Sequence, residues 1–148
     1  KANGNAVQRR DIVGTNLAKS HVWHRIEKDY EVRHVVFDAK NYKSVGRDEY
    51  RQMSTYLHGQ YGRLGFLVTR DDDDSLRAGA ELDWVREIYT TDKKLIVRLS
   101  YKFFLKLLGK LRNPEKHDAV DSALSSLLDT YERRYLSLPS TRAQKAKK

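Results

Sequence analysis

Apolar positions recur along this chain with two alternating periods. Compact runs of β-branched and aromatic residues mark strands at 9–13, 32–39, 64–69 and 94–99. Stretches with apolar residues three and four apart mark helices at 20–30, 47–61, 75–90, 102–112 and 115–136. In 47–61 the stripe is Tyr50, Met53, Leu57 and Tyr61, and Gly62 ends it. In 102–112 it is Phe103, Phe104, Leu107, Leu108 and Leu111; in the last helix it is Val120, Leu124, Leu127, Leu128 and Tyr131. Ser20 is placed to cap the first helix, and Gly14-Thr15-Asn16 reads as the turn after the first strand. The run Asp71 to Asp74 breaks the third strand and supplies negative charge ahead of the next helix. Asn113-Pro114 separates the last two helices. This alternation of strands and helices predicts an α/β fold of three layers, a mixed central sheet flanked by helices, with a C-terminal helical extension.

The 148 residues suffice for a single domain with a real core, expected over residues 1–138, followed by a basic, disordered tail over 139–148. The net charge of +9 is of the kind found in chains that meet polyanions, though it is equally the mark of a solvated basic surface. Cysteine is absent, which excludes disulfides, cysteine zinc sites and a cysteine nucleophile, and fits a cytoplasmic setting. No apolar stretch approaches the roughly 20 residues that span a bilayer. The chain starts at Lys1 rather than at methionine, so a fragment of a longer protein is the expectation.

The chemistry concentrates where the apolar run Val35-Val36-Phe37 closes on Asp38-Ala39-Lys40. Asp38 and Lys40 are two apart on a strand, so they share a face, with Ala39 turned toward the core. Asp11 joins them if the first two strands are neighbours. Two carboxylates can hold magnesium or manganese through oxygen. A bound metal polarises a phosphate and acidifies water, and the lysine neutralises charge on the phosphate oxygens. Gln52 and Tyr56, one turn apart on the next helix, can reach over the strand end. The competing reading of the Asp-x-Lys triplet is an exposed ion pair at a strand end.

Arg10-Asp11-Ile12-Val13, the segment Val35-Val36-Phe37-Asp38-Ala39-Lys40-Asn41-Tyr42, and Gln52 to Tyr56 together resemble the PD-(D/E)xK nuclease superfamily, the restriction-endonuclease-like fold. The Lys-Asn-Tyr ending is similar to Mrr-like members, and the Gln-x-x-x-Tyr spacing to RecB-type and lambda-type exonucleases. The likeness covers about residues 9–70. It implies a magnesium- or manganese-dependent nuclease acting on DNA, with Asp11 and Asp38 as metal ligands, the main-chain carbonyl of Ala39 assisting, Lys40 as the catalytic lysine and Gln52 orienting the site. It also makes a cleavage module of a larger defence or restriction-type protein the expected context. One departure is that members often carry a glutamate on a helix before the first acid, whereas none of the ten residues ahead of Asp11 is acidic.

For nucleic-acid contact the candidates are Arg9 and Arg10 beside the first acid, and Lys102, Lys106 and Lys110 at four-residue spacing on one helix face. Each has a plainer alternative as solvated surface. Trp23 is expected to pack in the core. The histidines form no zinc pattern, and neither a Gly-x-Ser-x-Gly elbow nor a phosphate-binding Gly-x-x-x-x-Gly-Lys loop occurs. A homodimer is compatible with the fold, since many such nucleases cut duplexes as pairs. The alternative to a nuclease is a nuclease-like domain without catalysis that binds nucleic acid or a protein partner.

Overall fold

The structure, a computed structural model, describes residues 11–40, 45–71, 76, 80–109 and 117–136. In chain order the elements are β1 (Asp11–Thr15), α1 (His21–Tyr30), β2 (His34–Ala39), α2 (Arg47–Tyr56), a 3-10 turn (Gly59–Tyr61), β3 (Leu64–Thr69), α3 (Ala80–Asp92), β4 (Leu95–Ser100), α4 (Tyr101–Gly109), α5 (His117–Thr130) and a π-helical continuation (Tyr131–Leu136). The four strands form one sheet in the order β1-β2-β3-β4. β1 runs antiparallel to β2, whereas β2, β3 and β4 are parallel. The expected three-layer α/β architecture with a mixed sheet is therefore the observed one.

The two faces of the parallel strands differ in chemistry. Register and strand alternation put Val35, Phe37, Leu64, Phe66, Val68, Leu95, Val97 and Leu99 on one face, all of them buried. This apolar face receives α1 and α4: Trp23 meets Phe66 edge-on at 6.5 Å, and Phe104 meets Phe37 at 5.2 Å between centroids. The expected packing role of Trp23 is thus realised. The other face carries Val36 and Asp38 on β2, Gly65, Leu67 and Thr69 on β3, and Ile96, Arg98 and Ser100 on β4. It receives α2 and α3. α2 approaches closely because β3 offers Gly65, where an added Cβ would lie 2.7 Å from Met53 Sδ.

α5 lies along α1, held by Arg25, which reaches Asp129 Oδ1 at 2.9 Å and Glu132 Oε1 at 2.6 Å. Its π-helical end turns around the free edge of β4, where the Arg98 backbone N–H donates to the Tyr131 hydroxyl at 2.9 Å. The C-terminal helix thus belongs to the layer, with Leu124, Leu128 and Tyr131 fully buried. β1 forms the opposite edge, with Ile12 and Val13 substantially exposed.

Several element ends differ from the sequence expectation. β1 runs on through Gly14 and Thr15, which pair with Val35 and His34. The turn is displaced to Asn16, whose side-chain amide donates to the carbonyls of Trp23 and Val32 while its oxygen accepts from Ala18 N–H. α2 stops at Tyr56, because Leu57 leaves helical geometry to bury its side chain and Gly59 adopts φ +58. Tyr61 consequently belongs to the 3-10 turn and not to the α2 stripe. β2 starts at His34, β4 occupies 95–100, and α3 runs on to Asp92, while residues 75 and 77–79 of the helix expected over 75–90 lie outside the described residues.

Candidate active site

The polar residues of the second sheet face gather toward one end. The last residues of β2, β3 and β4 on that face, with the residue after β2, are Asp38, Lys40, Thr69, Arg98 and Ser100, and all five are buried. The carboxyl ends of parallel strands are where α/β sheets most often place ligand chemistry. The antiparallel β1 starts at this same end, and its register puts Asp11 opposite Asp38. The two acidic strands are therefore neighbours. The Asp11 side chain lies outside the described residues.

Asp38 is 0% exposed, and Lys40 Nζ lies 2.9 Å from its Oδ2. The Lys40 ammonium also donates to Gln52 Oε1 at 3.2 Å, across from β2 to α2. The Lys40 backbone N–H donates to the Val68 carbonyl at 2.7 Å, which prolongs the sheet one residue past β2 and fixes the lysine stem. Asp38, Lys40 and Gln52 thus form one contiguous chain of contacts. The exposed ion pair that the triplet alone permits is overturned by this burial: neither partner faces bulk water.

Burial makes the arrangement costly. A desolvated carboxylate needs a full set of partners, yet among the described residues the Asp38 oxygens have the Lys40 ammonium and no further hydrogen-bond donor. An under-coordinated hard oxygen at a strand end fits a divalent cation. Among the described residues no group of three or more histidine, aspartate or glutamate side chains is placed to hold a metal ion. A cation here would draw on Asp38, on Asp11 across the strand pair, and on main-chain oxygen such as that of Ala39.

Of the other expected residues, Lys102 and Lys106 lie on exposed positions of α4, which starts directly after β4. Arg9, Arg10, Lys110, Asn41, Tyr42, Asp72 to Asp74 and residues 137–148 lie outside the described residues. A groove of about 300 Å³ between α2 and α3 is lined by Arg51, Thr55, Glu87 and Asp92 among others, and does not include Asp38, Lys40 or Gln52.

Sequence reasoning missed a second buried ionic group. Arg98 lies in the same row across the sheet as Asp38, with Leu67 between them, about 10 Å apart at the usual strand spacing. It is 1% exposed, with Nε 2.9 Å from Glu81 Oε1 and Nη1 3.2 Å from Asp71 Oδ2. Glu81 Oε1 in turn accepts from the Tyr50 hydroxyl. Burial is the largest single influence and opposes the Arg98 charge, but Glu81, Tyr50, Tyr131 and Asp71 together outweigh it, and the guanidinium is held above its ordinary pKa. The available signal was Arg98 itself, a cation inside the apolar run Leu95-Ile96-Val97-Arg98-Leu99. A strand can bury such a residue only if partners await it. The network ties α2, α3 and the end of β3 to β4, and so sets where α2 holds Gln52.

No family model matches the chain, and no solved structure matches it. The chain is similar to a putative transposon gamma-delta 80.3 kDa protein of Escherichia coli strain K12, with 52% identity over 145 residues and 98% of this chain covered. It spans 21% of that protein's length.

Among the described residues no helix is long and apolar enough to cross a membrane.

Proposed function

We propose that this chain is a metal-dependent nuclease domain that hydrolyses phosphodiester bonds in DNA, with its centre at Asp11, Asp38 and Lys40. The observation that carries the reading is the buried, under-coordinated Asp38 carboxylate, paired with a lysine that α2 steers through Gln52. A buried ion pair contributes little net stability compared with apolar packing, so its presence at the carboxyl end of the sheet argues for use in chemistry. Asp38, Asp11 and the Ala39 carbonyl would hold magnesium or manganese, which supplies Lewis-acid polarisation of the scissile phosphate and a more acidic bound water. Lys40, tethered to Gln52, presents a fixed positive charge to phosphate oxygens as negative charge builds on them. The basic net charge of +9 favours a polyanionic substrate. The similar protein is named for a transposon, which supports DNA as that substrate, and its greater length supports a module within a larger protein.

The test is cleavage of plasmid and linear DNA with magnesium or manganese by the wild type, Asp38→Ala and Lys40→Ala. Metal-dependent cutting that disappears in both variants supports the assignment. Cutting that persists in them places the chemistry elsewhere. Absence of cutting together with retained DNA binding would favour the non-catalytic binding domain instead.

A further inference from the structure

α4 presents two parallel exposed stripes. One is apolar: Tyr101 is 51% exposed and Leu105, one turn on, is 48% exposed. The other is basic, with Lys102 and Lys106 at the same one-turn spacing and both exposed. The opposite side of the helix is buried through Phe104 and Leu107, so Tyr101 and Leu105 are surplus to the packing of the helix. Arg70 stands beside this face. It follows Thr69 as Tyr101 follows Ser100, and Thr69 and Ser100 are register partners on adjacent strands. Arg70 is exposed as well.

An aromatic–aliphatic stripe alongside a cationic one matches the two sides of a single nucleic-acid strand, with its bases on one side and its phosphates on the other. A duplex buries its base faces and gives an exposed tyrosine nothing to stack on. Tyr101 opens α4 at the carboxyl end of the sheet, the end that also carries Asp38 and Lys40, although α4 packs on the opposite face of the sheet from them.

We propose that the outer face of α4, with Arg70, is a single-strand binding ledge: Tyr101 stacks on a base, Leu105 extends the apolar contact, and Lys102, Lys106 and Arg70 take phosphates. As a feed to the Asp38 centre the ledge rests on the nuclease reading, but as a binding face it stands on these residues alone. It selects single-stranded or frayed DNA over intact duplex.

The experiment is fluorescence anisotropy of a labelled oligothymidylate with the chain, in chelator so that cleavage cannot occur, over a range of salt. Tyr101→Ala should weaken binding by about tenfold while Tyr101→Phe binds as the wild type does, since only the ring is needed. Lys102→Ala should lower the slope of log affinity against log salt by about 0.7, the value for one phosphate on a single strand. Lys28→Ala, near the end of α1, should change neither. The substituted side chains are exposed, and thermal melting of each variant verifies that it is folded. Wild-type protein that does not bind the oligonucleotide, or Tyr101→Ala that binds it unchanged, overturns the proposal. Binding that follows this pattern while Asp38→Asn still cleaves DNA with magnesium would overturn the nuclease centre and leave the ledge standing.

Discussion

Replacing Lys40 by methionine isolates what the buried pair does. The stem is kept and the ammonium removed, so Asp38 is left at 0% exposure without its counter-charge. The side chain of Lys40 is itself only 8% exposed, so the solvent screening that makes surface pairs worth little does not operate. Stranding one member of a buried pair costs about 3–5 kcal/mol. Against a total of roughly 5–15 kcal/mol for a domain, that is a large fraction. It corresponds to about 10 °C in Tm for a chain of this size. The reverse change, Asp38→Leu, should cost less, because a lysine can extend its flexible stem toward water while a carboxylate on a strand cannot. The double variant Asp38→Leu/Lys40→Met should recover most of the loss, since apolar isosteres in place of a buried pair are neutral or stabilising by about 1–4 kcal/mol. Urea unfolding at pH 7 with unchanged m-values reads all three. Magnesium adds a second readout: under the proposed metal-dependent function a cation at Asp38 would replace the missing ammonium, so the metal should raise the Lys40→Met midpoint by binding the folded state. A loss under about 1 kcal/mol in Lys40→Met would refute the reasoning, because it would mean that Asp38 is not desolvated.

Gly65→Ala should destabilise by about 1–3 kcal/mol, because its Cβ would press on Met53 and Leu57 and push α2 off the sheet; denaturant melts measure it. Arg98→Met should cost about 3–5 kcal/mol by removing the cation that faces Glu81 and Asp71, and pairing it with Glu81→Leu should return part of that in the same assay. Tyr30, Tyr50 and Tyr131 all have their pKa raised, in each case chiefly by burial. In the unfolded chain tyrosine ionises near pH ~10. The folded state holds these protons longer, so their stabilising contribution is complete below that pH and is lost as pH rises beyond it. Thermal melts from pH 8 to 12 should therefore fall steeply only above about pH 10, and Tyr30→Phe should flatten that fall.

The strands and helices were legible because their cause is local. A run such as Val35-Val36-Phe37 is apolar enough to be buried wherever it lies, and the spacing of Tyr50, Met53 and Leu57 selects a helix by its period alone. The Asp38-Ala39-Lys40 group was legible for the same reason, since charges closing an apolar strand share a face by alternation. Element ends were less so: Gly14 and Thr15 look like a turn, yet Asn16 moves that turn along by bonding to carbonyls 7 and 16 residues away. Tertiary structure alone decided which strands are neighbours, and with that the register that sets Asp11 opposite Asp38. It also decided that Asp38 and Lys40 lie away from water, since burial depends on how α2 covers the strand end. The partners of Arg98 come from α3 and the end of β3, 17 and 27 residues distant, and no local pattern couples them. A sequence states the charge it carries at each position, but what that charge costs is set by the elements that fold over it.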